Sequence, residues 1–187
     1  PFSTTNGIVQ CVSFHPTKPH FLAATQTTVF QYNLQKQSIV SKYKSGAKWI
    51  SSISMHPKGD NFILGTYDKK VLWFDMDMSG DAPYKSLRYH DKAIRKVSFH
   101  TNSRFPLFAS ASDDGAINIF YGMVYSDLLQ NALVVPVKVL KAAHSTSRVN
   151  PETQERRAQL GSMACVWHPQ QPWLFSAGAD GSIKLWV

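Results

Sequence analysis

One short phrase, repeated four times, decides the fold: VQCVSFHP at 9–16, ISSISMHP at 50–57, IRKVSFH at 94–100 and SMACVWHP at 162–169. In every copy the residues one and three places before the histidine are apolar. These pairs are Phe14 and Val12, Met55 and Ile53, Phe99 and Val97, and Trp167 and Cys165. Such alternation predicts a β-strand with one buried face, closed by a turn at the histidine.

The histidines also set a period. His15, His56 and His100 follow one another at 41 and 44 residues, and His168 comes 68 residues later, which is one period plus an insertion. A second and a third apolar strand follow each copy, and Asp114-Gly115 and Asp180-Gly181 are strong hairpin signals between them. A period of about 40–45 residues with four short strands is typical of the blades of a β-propeller. The sequence therefore predicts an all-β propeller with blades at about 8–44, 49–90, 93–140 and 162–187, interrupted by an insertion at 122–161.

The repeats resemble the WD-repeat family. Phe74-Asp75 stands where that family has Trp-Asp, six residues after the turn residue Asp68. The family implies a buried hydrogen-bonded tetrad of His, Ser or Thr, Asp and Trp in each blade, with a structural role. The positions that match it here are His90, Ser110 and Asp114 in one blade, and Ser176, Asp180 and Trp186 in the next.

The fourth repeat stops at its third strand. Four blades, one of them a strand short, do not close a ring of seven, so we expect the chain to form the C-terminal part of a larger, seven-bladed propeller. Alone it would carry two open sheet edges, which invite pairing with other chains.

Composition narrows the function classes. Lys and Arg number 20 against 12 Asp and Glu, a net charge of +8, which makes an anionic partner such as RNA plausible. Cys11 and Cys165 lie on different repeats and fit a reducing compartment better than a disulfide. We found neither a signal peptide nor an apolar run long enough to span a membrane.

No catalytic motif stands out. The sequence has no P-loop, G-x-G-x-x-G, G-x-S-x-G or H-E-x-x-H pattern, and histidines placed one per blade do not converge on a metal ion. We therefore expect no enzyme activity, no metal, no cofactor and no small-molecule substrate.

The densest basic run predicts a phosphate-binding surface. It spans an outer strand, its turn and the next inner strand, with only Asp91 opposing it, and Tyr84 and Tyr89 are near enough to stack on bases. The alternative is a solvated strand face without a ligand. The candidate RNA-binding residues are Lys85, Arg88, Lys92, Arg95 and Lys96.

The insertion supplies candidates for partner docking. In its first part, Tyr125, Leu128 and Leu129 fall at helical spacing, which predicts a short helix that packs on the propeller flank or docks a partner. The second part, Lys141–Gly161, is polar, and its Arg156 and Arg157 belong either to a loop without a role or to an arm that orders on a partner.

Longer strings carry a more specific resemblance. HPKGDN at 56–61, YDKKVLW at 67–73, YKSLRYH at 84–90 and QPWLFSAGADG at 171–181 are similar to the C-terminal propeller of the block of proliferation (BOP/ERB) family of eukaryotic ribosome-biogenesis proteins. The resemblance implies a scaffold in large-subunit (60S) assembly and pre-rRNA processing, located in the nucleolus and nucleoplasm. It also implies as partners a pescadillo-type protein, a second WD-repeat protein and pre-ribosomal RNA. The alternative is a general WD-repeat adaptor, such as the substrate receptor of a ubiquitin ligase.

Overall fold

The structure, a computed structural model, describes residues 7–78, 80–125, 132–145 and 161–187, and the backbone of 148–149 and 156–157. Its regular elements are β-strands, in four antiparallel meanders and one short hairpin. The first sheet holds β1 (Cys11–Phe14), β2 (His20–Ala24), β3 (Thr28–Asn33) and β4 (Ser38–Lys44). The second holds β5 (Ile50–Met55), β6 (Asn61–Thr66), β7 (Val71–Asp75) and β8 (Lys85–Leu87).

The third sheet holds β9 (Ile94–Phe99), β10 (Leu107–Ser112), β11 (Ile117–Met123) and β12 (Leu133–Leu140). The hairpin of β13 (Arg148–Val149) and β14 (Arg156–Arg157) follows. The fourth sheet holds β15 (Ser162–Trp167), β16 (Leu174–Gly178) and β17 (Ile183–Trp186). This arrangement confirms the predicted all-β fold, with sheets of the blade type. In the part of the chain that the structure describes, no helix is long and apolar enough to cross a membrane.

Apolar clusters between consecutive sheets hold the molecule together. The second and third sheets each turn one face to the sheet before and the other to the sheet after, so alternate residues of one strand enter different clusters. The cluster between the second and third sheets is the most aromatic, with Trp73, Phe99, Phe108 and Phe120 in contact at ring-centroid distances of 4.7–5.5 Å. Dispersion and burial at these joints stabilise a sheet that could not bury its own faces.

The prediction of one buried face on every first strand is correct for three sheets and wrong for the first. Ile53, Val97 and Cys165 are buried, but Val12 and Phe14 are 58% and 69% exposed. The physical reason is the stacking order. This face packs on the preceding sheet, and within the described residues no sheet precedes β1.

The four repeat histidines are confirmed as turn residues. Each uses its ring Nδ1 to accept a backbone N–H two or three residues later: Thr17 and Lys18 for His15, Lys58 for His56, Asn102 for His100, and Gln170 and Gln171 for His168. The distances run from 2.9 to 3.3 Å. A side chain that caps the turn after its own strand explains the recurrence of histidine at this position.

The tetrad forms fully in the fourth sheet, with a histidine that the sequence analysis did not assign. Trp186 donates its indole N–H to Ser176 Oγ at 2.9 Å, and the Ser176 hydroxyl lies 2.8 Å from His144 Nε2. His144 Nδ1 lies 3.1 Å from Asp180 Oδ1. In the third sheet, His90 lies 2.8 Å from Ser110 and 2.9 Å from Asp114, but Phe120 has no donor. There Asn118 Nδ2 approaches His90 Nε2 at 3.2 Å instead.

Both cysteines are free thiols. Cys165 is buried in the cluster between the third and fourth sheets, as its apolar position predicted. Burial raises the pKa of Cys165 to about 12 and that of Cys11 to about 11, so both thiols stay protonated at neutral pH. They act as small packing residues.

Candidate phosphate-binding surface

Half of the connections gather at one end of the sheets, here named the top end. Backbone hydrogen bonds link them across neighbouring sheets: Tyr67 N to Trp49 O at 3.0 Å, Asp113 N to Ala93 O at 2.9 Å, and His144 N to Gly115 O at 3.1 Å. The top end therefore consists of the connections at 25–28, 45–49, 67–70, 88–93, 113–116, 141–145 and 179–182. The β8–β9 turn, which carries Arg88 and Lys92, belongs to it.

The charge of Arg95 is neutralised by a partner within the protein. Its guanidinium forms a bidentate pair with Asp113, with Nη2 to Oδ2 at 2.6 Å and Nε to Oδ1 at 2.9 Å. It also lies over the Tyr67 ring, 5.0 Å from the centroid. The hydrogen bond to Asp113 raises the pKa of Arg95, although partial burial opposes the shift. Arg95 thus fastens the third sheet to the second, and a phosphate would have to displace Asp113 to reach it.

Lys85 also has partners within the protein. Its Nζ donates to the carbonyl of Ala132 at 2.6 Å and lies 5.4 Å from the centroid of the Tyr84 ring. Lys58 Nζ donates to the carbonyl of Val124 at 3.1 Å. Two lysines of the second sheet therefore hold both ends of the connection between β11 and β12.

The five basic candidates do not share one surface. Arg95 faces the second sheet, whereas Lys96, one residue later on β9, lines a cavity of about 470 Å³ with Val166 and Phe175 of the fourth sheet. Arg88 is exposed and Lys92 is half-buried in the top-end turn. Only these two of the five lie in that turn.

The two tyrosines differ in access. Tyr89 is 51% exposed and touches Phe120 edge to face at 5.3 Å, so part of its ring faces solvent. Tyr84 is half-buried and packs against the cluster between the second and third sheets. Tyr89 is therefore the better placed of the two to stack on a base.

Three further cations that sequence reasoning missed lie at the top end. Lys48, Lys69 and Lys141 are exposed in the connections at 45–49, 67–70 and 141–145. They are scattered along the chain, so no window of sequence shows a cluster. The usable signal is the repeat itself, because equivalent turns of successive blades meet at one end.

The partner-docking candidates are only partly described. Tyr125 is 36% exposed next to the buried Val124. Leu128, Leu129 and the predicted helix around them lie outside the described residues. Arg156 and Arg157 form β14, where Arg157 is the partner of Arg148 in the ladder.

Across the described ranges, no group of three or more His, Cys, Asp or Glu side chains is arranged to hold a metal ion. Asp113 and Asp114, a carboxylate pair in sequence, serve different partners, since one pairs with Arg95 and the other with His90.

Comparison with known proteins places this repeat among sequences of known families. The family described as WD domain, G-beta repeat, matches residues 82–120 and 153–187. The whole chain is 53% identical to the ribosome biogenesis protein BOP1 homolog of Monosiga brevicollis, and 50% identical to those of Drosophila mojavensis and Drosophila virilis. The chain belongs to the BOP1 family. It spans 22% of the length of each of these relatives, so it corresponds to one segment of a BOP1 protein.

Membership in the BOP1 family confirms the resemblance drawn from the strings at 56–61, 67–73, 84–90 and 171–181. The second WD-repeat match begins at residue 153, inside the insertion, and so includes the whole fourth sheet. The first match covers the β8–β9 turn with Arg88 and Lys92.

Proposed function

We propose that this chain is a non-catalytic scaffold in ribosome biogenesis, acting in large-subunit (60S) assembly and pre-rRNA processing. The observation that carries the proposal is 50–53% identity over the full chain to proteins named as ribosome biogenesis proteins. The architecture agrees with it, because stacked sheets present large surfaces for partners. A nuclear location, in the nucleolus and nucleoplasm, follows from this function.

We further propose that the top end binds pre-ribosomal RNA through its phosphates. The exposed lysines Lys48, Lys69 and Lys141 join Arg88 and Lys92 there, and Tyr89 offers an exposed ring. Cations spread over a surface of this width neutralise several phosphates without reading sequence. Arg95 and Lys85 contribute less to phosphate binding, because their charges already have partners in the protein.

Charge reversal tests the RNA surface. The triple variant Lys48→Glu, Lys69→Glu and Arg88→Glu should bind a single-stranded pre-rRNA fragment much more weakly than the wild type. The slope of log affinity against log salt should fall by about 0.7 for each lost phosphate contact. Binding is measured by fluorescence anisotropy at several salt concentrations.

The matched control reverses Lys18, Lys36 and Arg104, which are also exposed but lie in the β1–β2, β3–β4 and β9–β10 turns at the opposite end of the sheets. If both variants lose the same affinity, the binding is a general effect of net charge and the top-end surface is refuted.

The protein partners proposed by family resemblance are a pescadillo-type protein and a second WD-repeat protein. Purification of the tagged protein from nuclear extract, with and without nuclease, tests the scaffold itself. Recovery of large-subunit precursors supports it, and recovery of ubiquitin-ligase components instead supports the adaptor alternative.

A further inference from the structure

The outer strand of the third sheet differs from its counterparts. On β4 the exposed residues are Ser38, Val40, Lys42 and Lys44, and on β8 only Ser86 is exposed. On β12, by contrast, Leu133, Val135, Val137 and Val139 are 42–59% exposed. Exposed sheet edges normally carry charged residues and few apolar ones, so a row of valines on an edge needs an explanation.

A register shift places the exposed apolar residues of β12 on both faces of the sheet, at its free edge. Among the described residues, β12 is the last strand in its sheet and pairs with β11 alone. Leu133 and Val135 lie opposite Met123 and Tyr121, but the register shifts between Ile119 and Phe120, so that Val139 lies opposite Asn118. Tyr121 and Asn118 are three residues apart on β11, so their side chains point to opposite faces of the sheet. Val135 and Val139, which lie opposite them, therefore point to opposite faces as well, and the apolar residues flank the edge on both sides.

The charge on β12 and in the turn that follows it is positive. Lys138 and Lys141 are exposed on and just after β12. From Gly115 to Pro151 the only acidic residue is Asp127. A strand added at this edge would therefore meet the positive charge of Lys138.

We propose that the free edge of β12 docks an extended segment of a partner protein in which apolar and acidic residues alternate. The main chain of that segment adds a strand to the third sheet. Its apolar side chains share one face and cover Val137 and Val139, and its carboxylates, on the other face, pair with Lys138. Pro136, which lacks an N–H, limits pairing at the centre of the strand, so side-chain contacts carry a large share of the affinity. This interface is separate from the top end and does not depend on RNA binding.

A designed peptide tests the proposal with the full-length protein. The probe is a fluorescein-labelled octapeptide of alternating valine and glutamate, followed by anisotropy, and an octapeptide of alternating valine and lysine is its charge control. The double variant Val137→Ser, Val139→Ser should weaken binding of the acidic peptide about tenfold, because two apolar contacts are lost. Lys138→Glu should weaken it as well.

Matched controls lie on β4, where Val40 is 51% exposed and Lys42 is exposed. Val40→Ser and Lys42→Glu should leave the affinity unchanged. Hydrogen exchange gives a second measurement on the wild type, in which the peptide should protect amides of β12 but not of β4. Three results would each overturn the proposal: no binding of the acidic peptide, equal loss from the β4 variants, or displacement of the peptide by a short RNA.

Discussion

At the scale of single residues, buried histidine–aspartate pairs tie the turns to the sheets. Burial alone would raise the pKa of Asp114, but the hydrogen bond and charge of His90 outweigh it and hold that pKa below its usual value. The pKa of Asp180 is lowered in the same way, by Ser182, Ser145 and His144 against burial. Both carboxylates therefore favour the folded state in their ionised form.

The pH dependence of stability should show this contribution. A carboxylate with a lowered folded-state pKa stabilises the fold fully above its unfolded pKa, about 3.9, and the stabilisation disappears as the pH falls through the folded value. Asp114→Asn should lower the free energy of unfolding by about 1–3 kcal/mol at pH 7, since it weakens a buried hydrogen bond of His90. The difference from wild type should shrink below about pH 4.

Urea unfolding at pH 7, 5, 4 and 3 measures the effect. Asp77→Asn, at an exposed position, serves as the control and should shift the midpoint little at any pH. A constant difference between wild type and Asp114→Asn across this range would show that the pair is no electrostatic anchor.

At the scale of elements, serine hydroxyls accept hydrogen bonds from backbone amides at the unpaired inner edge of a sheet. Val97 N donates to Ser52 Oγ at 3.2 Å and Phe99 N donates to Ser54 Oγ at 2.9 Å. These amides belong to β9, the inner edge of the third sheet, and the hydroxyls come from β5 of the second. The polar positions of the ISSISM phrase thus join two sheets whose inner strands do not pair.

Removing these hydroxyls should destabilise that joint. The double variant Ser52→Ala, Ser54→Ala leaves two amides of β9 without their acceptors, at a cost of about 1–3 kcal/mol each when the group stays unsatisfied. Amide exchange at Val97 and Phe99 should accelerate, which NMR can detect residue by residue. Ser86→Ala on the exposed side of β8 is the control, with an expected effect within about 0.5 kcal/mol.

Sequence reasoning predicts elements better than partners, and three cases show why. The strand β10, at Leu107–Ser112, is one of the second, apolar strands that the repeat predicts. His144 escaped notice because the connection at 145–161 separates it from Ser176, so the spacing that identifies His90 with Ser110 is lost. Arg95 and Arg88 look alike in sequence, and only the tertiary structure shows that Arg95 forms an ion pair with Asp113.

At the scale of the whole molecule, the two end sheets are built for contact but lack a neighbour among the described residues. Val12 and Phe14 are exposed on the outer face of the first sheet, and Phe21 and Tyr32 stack beside them at 5.0 Å. On the outer face of the fourth sheet, Val166, Leu185 and Ile183 are exposed, the last at 78%. Apolar faces of this kind are buried at each of the three inner joints.

We expect further blades of a larger ring to cover these faces in the full-length protein, and the behaviour of the chain alone tests this. Expressed by itself, residues 1–187 should self-associate, because uncovered apolar sheets and free edges pair with other copies. Light scattering after size exclusion should therefore give a mass above that of a monomer. Phe14→Glu with Ile183→Glu should shift the isolated chain toward the monomer, since charge on both faces opposes contact between copies.

In the full-length protein the same two substitutions should be harmful, because they should destabilise the fold. There they would place carboxylates in the joints with neighbouring blades, so they should lower stability by several kcal/mol. Lys18→Gln with Lys36→Gln, at exposed turns, changes the net charge by the same amount and should change neither property. A monomeric, soluble wild-type fragment, together with a full-length double variant of normal stability, would show that these faces are free surfaces rather than blade joints.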